Sequence, residues 1–441
     1  MKDVVVIGAG LSGLTAALRL AQAGICPLVF ERHSKPGGLA RTLRIADEPI
    51  EAFYHHLFTT DTAYIDLATE LGLANRIEWL PSRMGIFTAD RMWDFGTPLS
   101  LLKFHPLPWP DKLRFVLSTL RLQRTQDPTE FEQITAAEWI RRHQGEQAWK
   151  IIWGPLLYQK FAEMAEDVAM VWLWRKLSLR GRSRSVSGMG ERLGYMKGSF
   201  AVLVDRLTDR IRELGGEINL QDPVRRLDRQ PDGSFTVTTA GGKTTVGKVL
   251  AAVPVPDYLE IAGHLLEAAD RSNLQTLRAT GAICTLLELD HSLTPYYWLN
   301  IADSSLPFGG LIEHSNYIDR SRYGGTHLVY ISNYLFPDHP LFRAPKSEVM
   351  EAYLPGLKRV NRNFRKSWIR KIHHFRAEYA QPVVTLGYRK RIPATQTPVD
   401  GLFLCCMAQI YPEDRGQNYA VIYGEQAAQR MLEEFPEPAA L

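Results

Sequence analysis

Val4-Val5-Val6-Ile7 is an unbroken β-branched run, the pattern of a parallel strand covered on both faces. Gly8-Ala9-Gly10-Leu11-Ser12-Gly13 follows at once. Residues 14–23 then carry helical spacing, with Ala16 and Ala17 toward the sheet and Leu18 and Leu20 behind them, and Gly24 stops the run. Residues 26–30 read as a second strand with Glu31 at its carboxyl end. Residues 61–71 have amphipathic spacing, Asp61 as cap and Gly72 as stop. Residues 86–88 and 91–95 form a hairpin turned at Ala89-Asp90.

The character changes near residue 97. Pro98, Pro106, Pro108 and Pro110 break up the start, and helical patterns follow over 112–123, 135–142 and 146–160. The stretch from Trp153 to Trp174 is rich in aromatics. A helix over 202–214 ends at Gly215-Gly216. Strand patterns follow at 217–220 and 223–227, a hairpin at 235–246, and a buried strand at 248–254. Residues 284–289, 298–301, 310–313 and 327–331 are strand-like and predict an antiparallel sheet, with a helix over 347–357. Residues 401–406 form a buried strand, and 415–420 lead into a helix running through Gly424 to Met431.

At 441 residues the chain is too long for one core, and two or three units are expected. Hydrophobic residues make 45% and charged residues 23%, an ordinary globular balance. A net charge of +4, spread along the chain, gives no reason to expect nucleic acid. Four cysteines make no disulfide framework, and no CxxC or Cys/His cluster has metal spacing. A strand begins right after Asp3, so no signal peptide is expected. No apolar run reaches about 18 residues, so no spanning helix is expected either. These features predict a reduced, cytoplasmic location, with a peripheral membrane contact left open.

A lone GxGxxG says little, but here it sits between a strand and a helix, with Glu31 after the next strand. Gly8 permits the tight turn, Gly10 lets backbone approach a pyrophosphate, and Gly13 lets helix and strand pack. The helix N-terminus, with Leu11 and Ser12 in its first turn, favours negative charge. Glu31 is placed to accept hydrogen bonds from an adenosine ribose, with Arg32 beside it.

Arg32-His33-Ser34-Lys35-Pro36-Gly37-Gly38-Leu39-Ala40-Arg41-Thr42 resembles the second glycine motif of the flavoprotein superfamily of flavin amine oxidases, protoporphyrinogen oxidase, phytoene desaturases and UDP-galactopyranose mutase. The resemblance implies FAD, with Gly37, Gly38, Leu39, Ala40 and Arg41 at its phosphates and the backbone of Val224 on adenine. It implies a helix N-terminus around Gly416, Asn418 and Tyr419 at the pyrimidine end of the flavin. It also implies an aromatic, histidine-bearing strand over 50–58 near the ring. A Gly-Asp normally ends the family's last strand. This chain has none there, which leaves Asp414 and Gln409 as candidates for the ribityl phosphate.

The implied fold is α/β: a Rossmann-like FAD-binding domain carrying both dinucleotide motifs, with an inserted α+β substrate domain of helices and antiparallel sheet. The expected pieces are 1–96, 191–257 and 391–441 for FAD, with 97–190 (helical) and 258–390 (sheet and helices) for substrate. The implied activity is oxidation of an apolar or amphipathic small molecule, lipid-like or sugar-linked, with hydride passing to flavin N5. The alternative is a mutase of the UDP-galactopyranose type, using reduced FAD without net redox. A third reading is a flavin-holding partner protein without turnover.

His55 and His56 are the catalytic candidates, because histidine suits proton transfer near neutral pH. An alternating strand would send one to the flavin and the other into protein. Tyr158, Trp172 and Trp174 read as core before pocket. Arg175, Arg180, Arg182 and Arg184 read as a solvated face before an anion site. Cys405-Cys406 reads as packing, and 104–120 as a surface helix before a membrane contact.

Overall fold

A computed structural model describes residues 4–183 and 191–435. Five parallel strands form the first sheet, in the spatial order Leu402–Leu404, Lys248–Ala251, Val4–Ile7, Leu28–Glu31, Glu217–Leu220. Val4, Val5 and Val6 are fully buried in its centre. Helix Leu11–Gln22 follows the first strand, and Gln417–Leu432 packs on it. The two chain ends therefore share one layer. A three-stranded antiparallel sheet, Val224–Arg229, Phe235–Thr239 and Lys243–Val246, stands beside it.

The second large sheet has seven strands, in the order Ile369–Pro382, Ala279–Leu289, His327–Leu335, Gly310–Glu313, Trp298–Ile301, Met84–Thr88, Arg91–Asp94. Ala89 and Asp90 turn the last hairpin with φ of 51° and 55°, the twist a two-residue hairpin needs. This hairpin pairs in parallel with Trp298–Ile301. Residues 84–94 thus lie in the antiparallel-rich sheet, although they fall inside the expected nucleotide piece 1–96. The edge strand Ile369–Pro382 carries no clear apolar signal, since its outer half is charged and half-buried. It is placed by pairing with the mostly apolar, buried strand Ala279–Leu289.

The expected strand over 50–58 stops early, at Glu51. Tertiary bonds take over its backbone: the Tyr330 hydroxyl donates to the Glu51 carbonyl at 2.7 Å, and Leu57 bridges Gly194 instead. The alternation argument for His55 and His56 therefore does not apply. Asp61 is likewise not the side-chain cap expected of it. Its carboxylate accepts from Phe58 N, while Asn418 Oδ1 accepts from Tyr64 N in the first turn of helix Thr62–Glu70.

Residues between the two sheets are helical. Trp109–Arg124, Ala136–His143, Gly154–Phe161 and Met170–Ser183 form a roof. Trp149–Trp153 is a π-helical segment inside what reads from sequence as one helix over 146–160. Such segments recur beside functional sites.

Candidate active site

The nucleotide end is built by two glycine turns in contact. Gly10 and Gly37 form a parallel bridge, and Gly37 N donates to Ala9 O at 2.7 Å. A Cβ on Gly8 (φ +100°) would lie 2.6 Å from Ala252 O, and one on Gly13 2.0 Å from Gly8 O. A Cβ on Gly10 would meet nothing within 4 Å. Gly8 and Gly13 are thus required by packing, and Gly10 by none, so its bare backbone faces open space. No side chain caps the helix that starts at Leu11, and its first N–H groups are left to an anion.

Glu31 is buried at the strand end, its two oxygens accepting from Ala9 N and His33 N at 2.9 Å. Asp222 N donates to Glu31 O, which brings Val224 to the same corner, and the ladder slips between Val224 and Arg226. Arg32 pairs with Asp257 at 3.2 Å. Arg41 lies over the Phe53 ring and pairs with no carboxylate among the described residues; burial lowers its pKa. A half-buried cation without a counter-ion, next to bare glycine backbone and a free helix N-terminus, fits the pyrophosphate of FAD.

The rest of the set lies around a cavity of about 560 Å³ between the sheets and the roof. His55, His56, Asp414, Gly416, Asn418 and Tyr419 all line it, beside Tyr54, Trp298 and Tyr334. Phe115, Trp153, Leu156, Leu157, Trp172 and Leu173 close it from the roof. Both histidines, rather than one, reach the cavity. His55 Nδ1 is 2.6 Å from Phe53 O, and burial together with Arg415 pushes its pKa down to about 4. His56 Nδ1 lies 3.2 Å from the Tyr297 hydroxyl.

The cavity also holds groups that sequence reasoning passed over. Lys160 and Lys176 both donate to Asp414 Oδ2, at 2.8 and 2.6 Å. Arg415 reaches the Tyr334 hydroxyl. Burial drives Lys160 well below the usual lysine range, against the pull of Asp414. Burial alone would raise Asp414, but Lys160, Lys176 and Arg415 outweigh it and hold the carboxyl far below its usual range. Asp414 is therefore engaged with two roof lysines, and as a carboxylate it has no proton to donate to the ribityl phosphate. Gln409 is excluded too: it accepts from Cys406 N and donates to Leu404 O, holding its own loop.

Trp172 is both core and cavity wall. Trp174 is core, its Nε1 donating to Leu122 O. Tyr158 is neither, being exposed and bonded to Glu166. Cys405 and Cys406 are buried, and burial pushes both thiols up to about 12. Arg175 pairs with Glu413. Arg184 and the side chains of Arg180 and Arg182 lie outside the described residues.

A parallel sheet with two glycine turns, joined to an antiparallel-rich sheet across one partly open cavity, is the architecture of an FAD-binding flavoprotein. The chain belongs to the flavin containing amine oxidoreductase family, which it matches over residues 11–432, and its cofactor is FAD. A Mycobacterium tuberculosis protein named as a flavin-containing monoamine oxidase is 26% identical over 307 residues, 59% of this chain and 62% of that one. The 15-cis-phytoene desaturase of Narcissus pseudonarcissus is 27% identical over 288 residues, 59% of this chain and 48% of the desaturase. The matches thus span about half of the desaturase and under two thirds of the monoamine oxidase. Reduced UDP-galactopyranose mutase has the same fold, with a TM-score of 0.78 at 17% identity, covering 99% of this chain and 97% of the mutase.

Proposed function

We propose that the protein is an FAD-dependent oxidoreductase acting on an apolar or amphipathic small molecule. The observation that carries this reading is the cavity, whose aromatic and aliphatic roof meets the N-terminus of helix Gln417–Leu432. Bound FAD supplies the hydride acceptor. Gly8, Gly10, Leu11, Ser12 and Gly13, with Gly37 to Arg41, hold the pyrophosphate; Glu31 holds the ribose and Val224 the adenine. The backbone around Gly416, Asn418 and Tyr419 stabilises negative charge at the flavin end of the cavity. Phe115, Leu156, Leu157 and Trp172 exclude water and orient the substrate. His55, neutral above about pH 4, can accept a proton there.

The cofactor-holding part joins both chain ends to the central sheet strands, and hairpin 84–94 goes with the substrate part. Leu99, Leu102, Trp109, Leu113 and Leu117 are exposed on the roof, near the Val116 and Leu120 edge of the cavity. That strip is where a peripheral membrane contact falls in this reading. Among the described residues no helix is long and apolar enough to cross a membrane. The four cysteines are free, which fits a reducing, cytoplasmic setting.

The test is anaerobic. Purified protein is expected to be yellow, to release FAD on heating, and to bleach with an apolar or amphipathic donor. A colourless protein that takes up no FAD would sink the proposal. The mutase reading is tested in the same preparation: turnover of UDP-galactose only after dithionite reduction would replace oxidation with isomerisation.

A further inference from the structure

Among the described residues, the charged side chains lining the cavity are Asp61, Lys160, Lys176, Asp414 and Arg415. Two lysines and an arginine face two carboxylates, although burial pulls Lys160 toward its neutral form. The nearby Arg175–Glu413 pair is neutral in itself. The residual side-chain exposure of Lys160, Asp414 and Lys176, 19%, 21% and 26%, accompanies their place in the cavity wall. One carboxylate oxygen serves both lysines. A single lysine would suffice to tie the roof to the 414–416 segment, yet Lys176 joins Lys160 on the Trp172 ring, 4.9 Å from its centroid. Arg415 Nε and Gln417 Nε2 are buried in the same wall without an acceptor. Enclosing surplus positive charge costs several kcal/mol per ion unless a counter-charge arrives. Apart from these two lysines, the roof lining is mostly apolar, with Thr119, Gln123 and Gln159 as its other polar members.

We infer that Lys160, Lys176 and Arg415 receive the anionic head, carboxylate or phosphate, of an amphiphilic substrate whose apolar body lies against Phe115, Leu156, Leu157 and Trp172. This rests on the oxidoreductase reading and narrows its substrate class. The two lysines hold the head by charge-assisted hydrogen bonds while Asp414 Oδ2 gathers both amino groups at one point of the wall. The aromatic faces of Trp172 and Tyr334, 5.2 and 5.9 Å from Lys160 Nζ, keep that ammonium in place before the head arrives.

The test titrates FAD-loaded protein with decanoate, decyl phosphate, decanol, decylamine and UDP, following the visible flavin absorbance. Decanoate or decyl phosphate is expected to bind at least about tenfold tighter than decanol or decylamine, since a charged hydrogen bond contributes ~1.5–3 kcal/mol. Whichever anion binds tighter identifies the head. Lys176→Met leaves the Lys160–Asp414 pair in place and is expected to remove most of that preference at unchanged FAD content; Lys176→Arg is expected to restore it. Equal binding of all decyl probes overturns the inference, as does an anion preference that survives Lys176→Met. Tighter binding of UDP than of either decyl anion overturns it too, because the cations then belong to a nucleotide site. Absence of FAD would instead remove the oxidoreductase reading, so the two failures are distinguishable.

Discussion

Gly424 and Ser12 touch backbone to backbone: a Cβ on Gly424 would lie 2.5 Å from the Ser12 carbonyl oxygen and 3.0 Å from Thr15 Cβ. This contact locks the last described helix onto the first, and so joins the two ends of the cofactor cradle. The obstacle is main chain, which cannot swing aside as a side chain would. Gly424→Ala is expected to destabilise the fold by ~1–3 kcal/mol. Thermal unfolding and retained FAD, measured together, check this; an unchanged midpoint refutes the locking role.

Arg41 tests the nucleotide end. It has no carboxylate partner to lose among the described residues. Arg41→Met should therefore leave the unfolding of apoprotein nearly unchanged. Loss of a charge-assisted bond contributing ~1.5–3 kcal/mol weakens FAD binding by about ten- to a hundredfold. Fluorescence titration of apoprotein with FAD measures the ratio.

Glu51 sets an alkaline slope. Burial pushes its carboxyl up to about 7 from 4.5, although Phe200 N and the Tyr195 hydroxyl both donate to it. A carboxyl raised on folding contributes its stability below pH 4.5 and loses it as pH rises through about 7. The loss is roughly 3 kcal/mol. Urea midpoints followed from mildly acidic to mildly alkaline pH should fall for the wild type and flatten for Glu51→Gln.

His314 acts at the other end. It is buried with Nε2 3.0 Å from the Tyr323 hydroxyl, and burial, with Arg322, pushes its pKa down to about 3 from 6.5. A histidine lowered on folding contributes its stability above pH 6.5 and loses it as pH falls toward about 3. His314→Gln keeps a polar neighbour for Tyr323 and should flatten the acid limb of the stability profile. An acid limb as steep as the wild type would show that His55 and His374, also pushed down to about 4, carry it instead.

The parallel sheet was legible where its strands are apolar runs, as in 4–7 and 249–251, and where glycine marks the turn, as in 8–13; its edge strand Glu217–Leu220 is more polar. The hairpin at Ala89-Asp90 could be read, but not its partner, because Trp298–Ile301 lies more than two hundred positions away. Ile369–Pro382 escaped notice because an edge strand can stay polar on its outer half. At the site, Gly10 and Arg41 announced themselves through spacing. Asp414 was singled out for a phosphate, but Lys160 and Lys176 were not, because two separate helices carry them and only folding brings both to the Asp414 oxygen. His55 and His56 were singled out by their chemistry and the resemblance, but the division of one inward and one outward failed, since the chain there is held by Tyr330 and Gly194 rather than by strand alternation.

The central sheet has a temporal consequence. Lys248–Ala251 gains its outer neighbour only from Leu402–Leu404, about a hundred and fifty residues later. During synthesis, at about 5–20 residues per second, the earlier strand stands as a bare edge for many seconds. The nascent chain must be shielded there from pairing with other chains, and the cradle is complete only after helix Gln417–Leu432 has emerged.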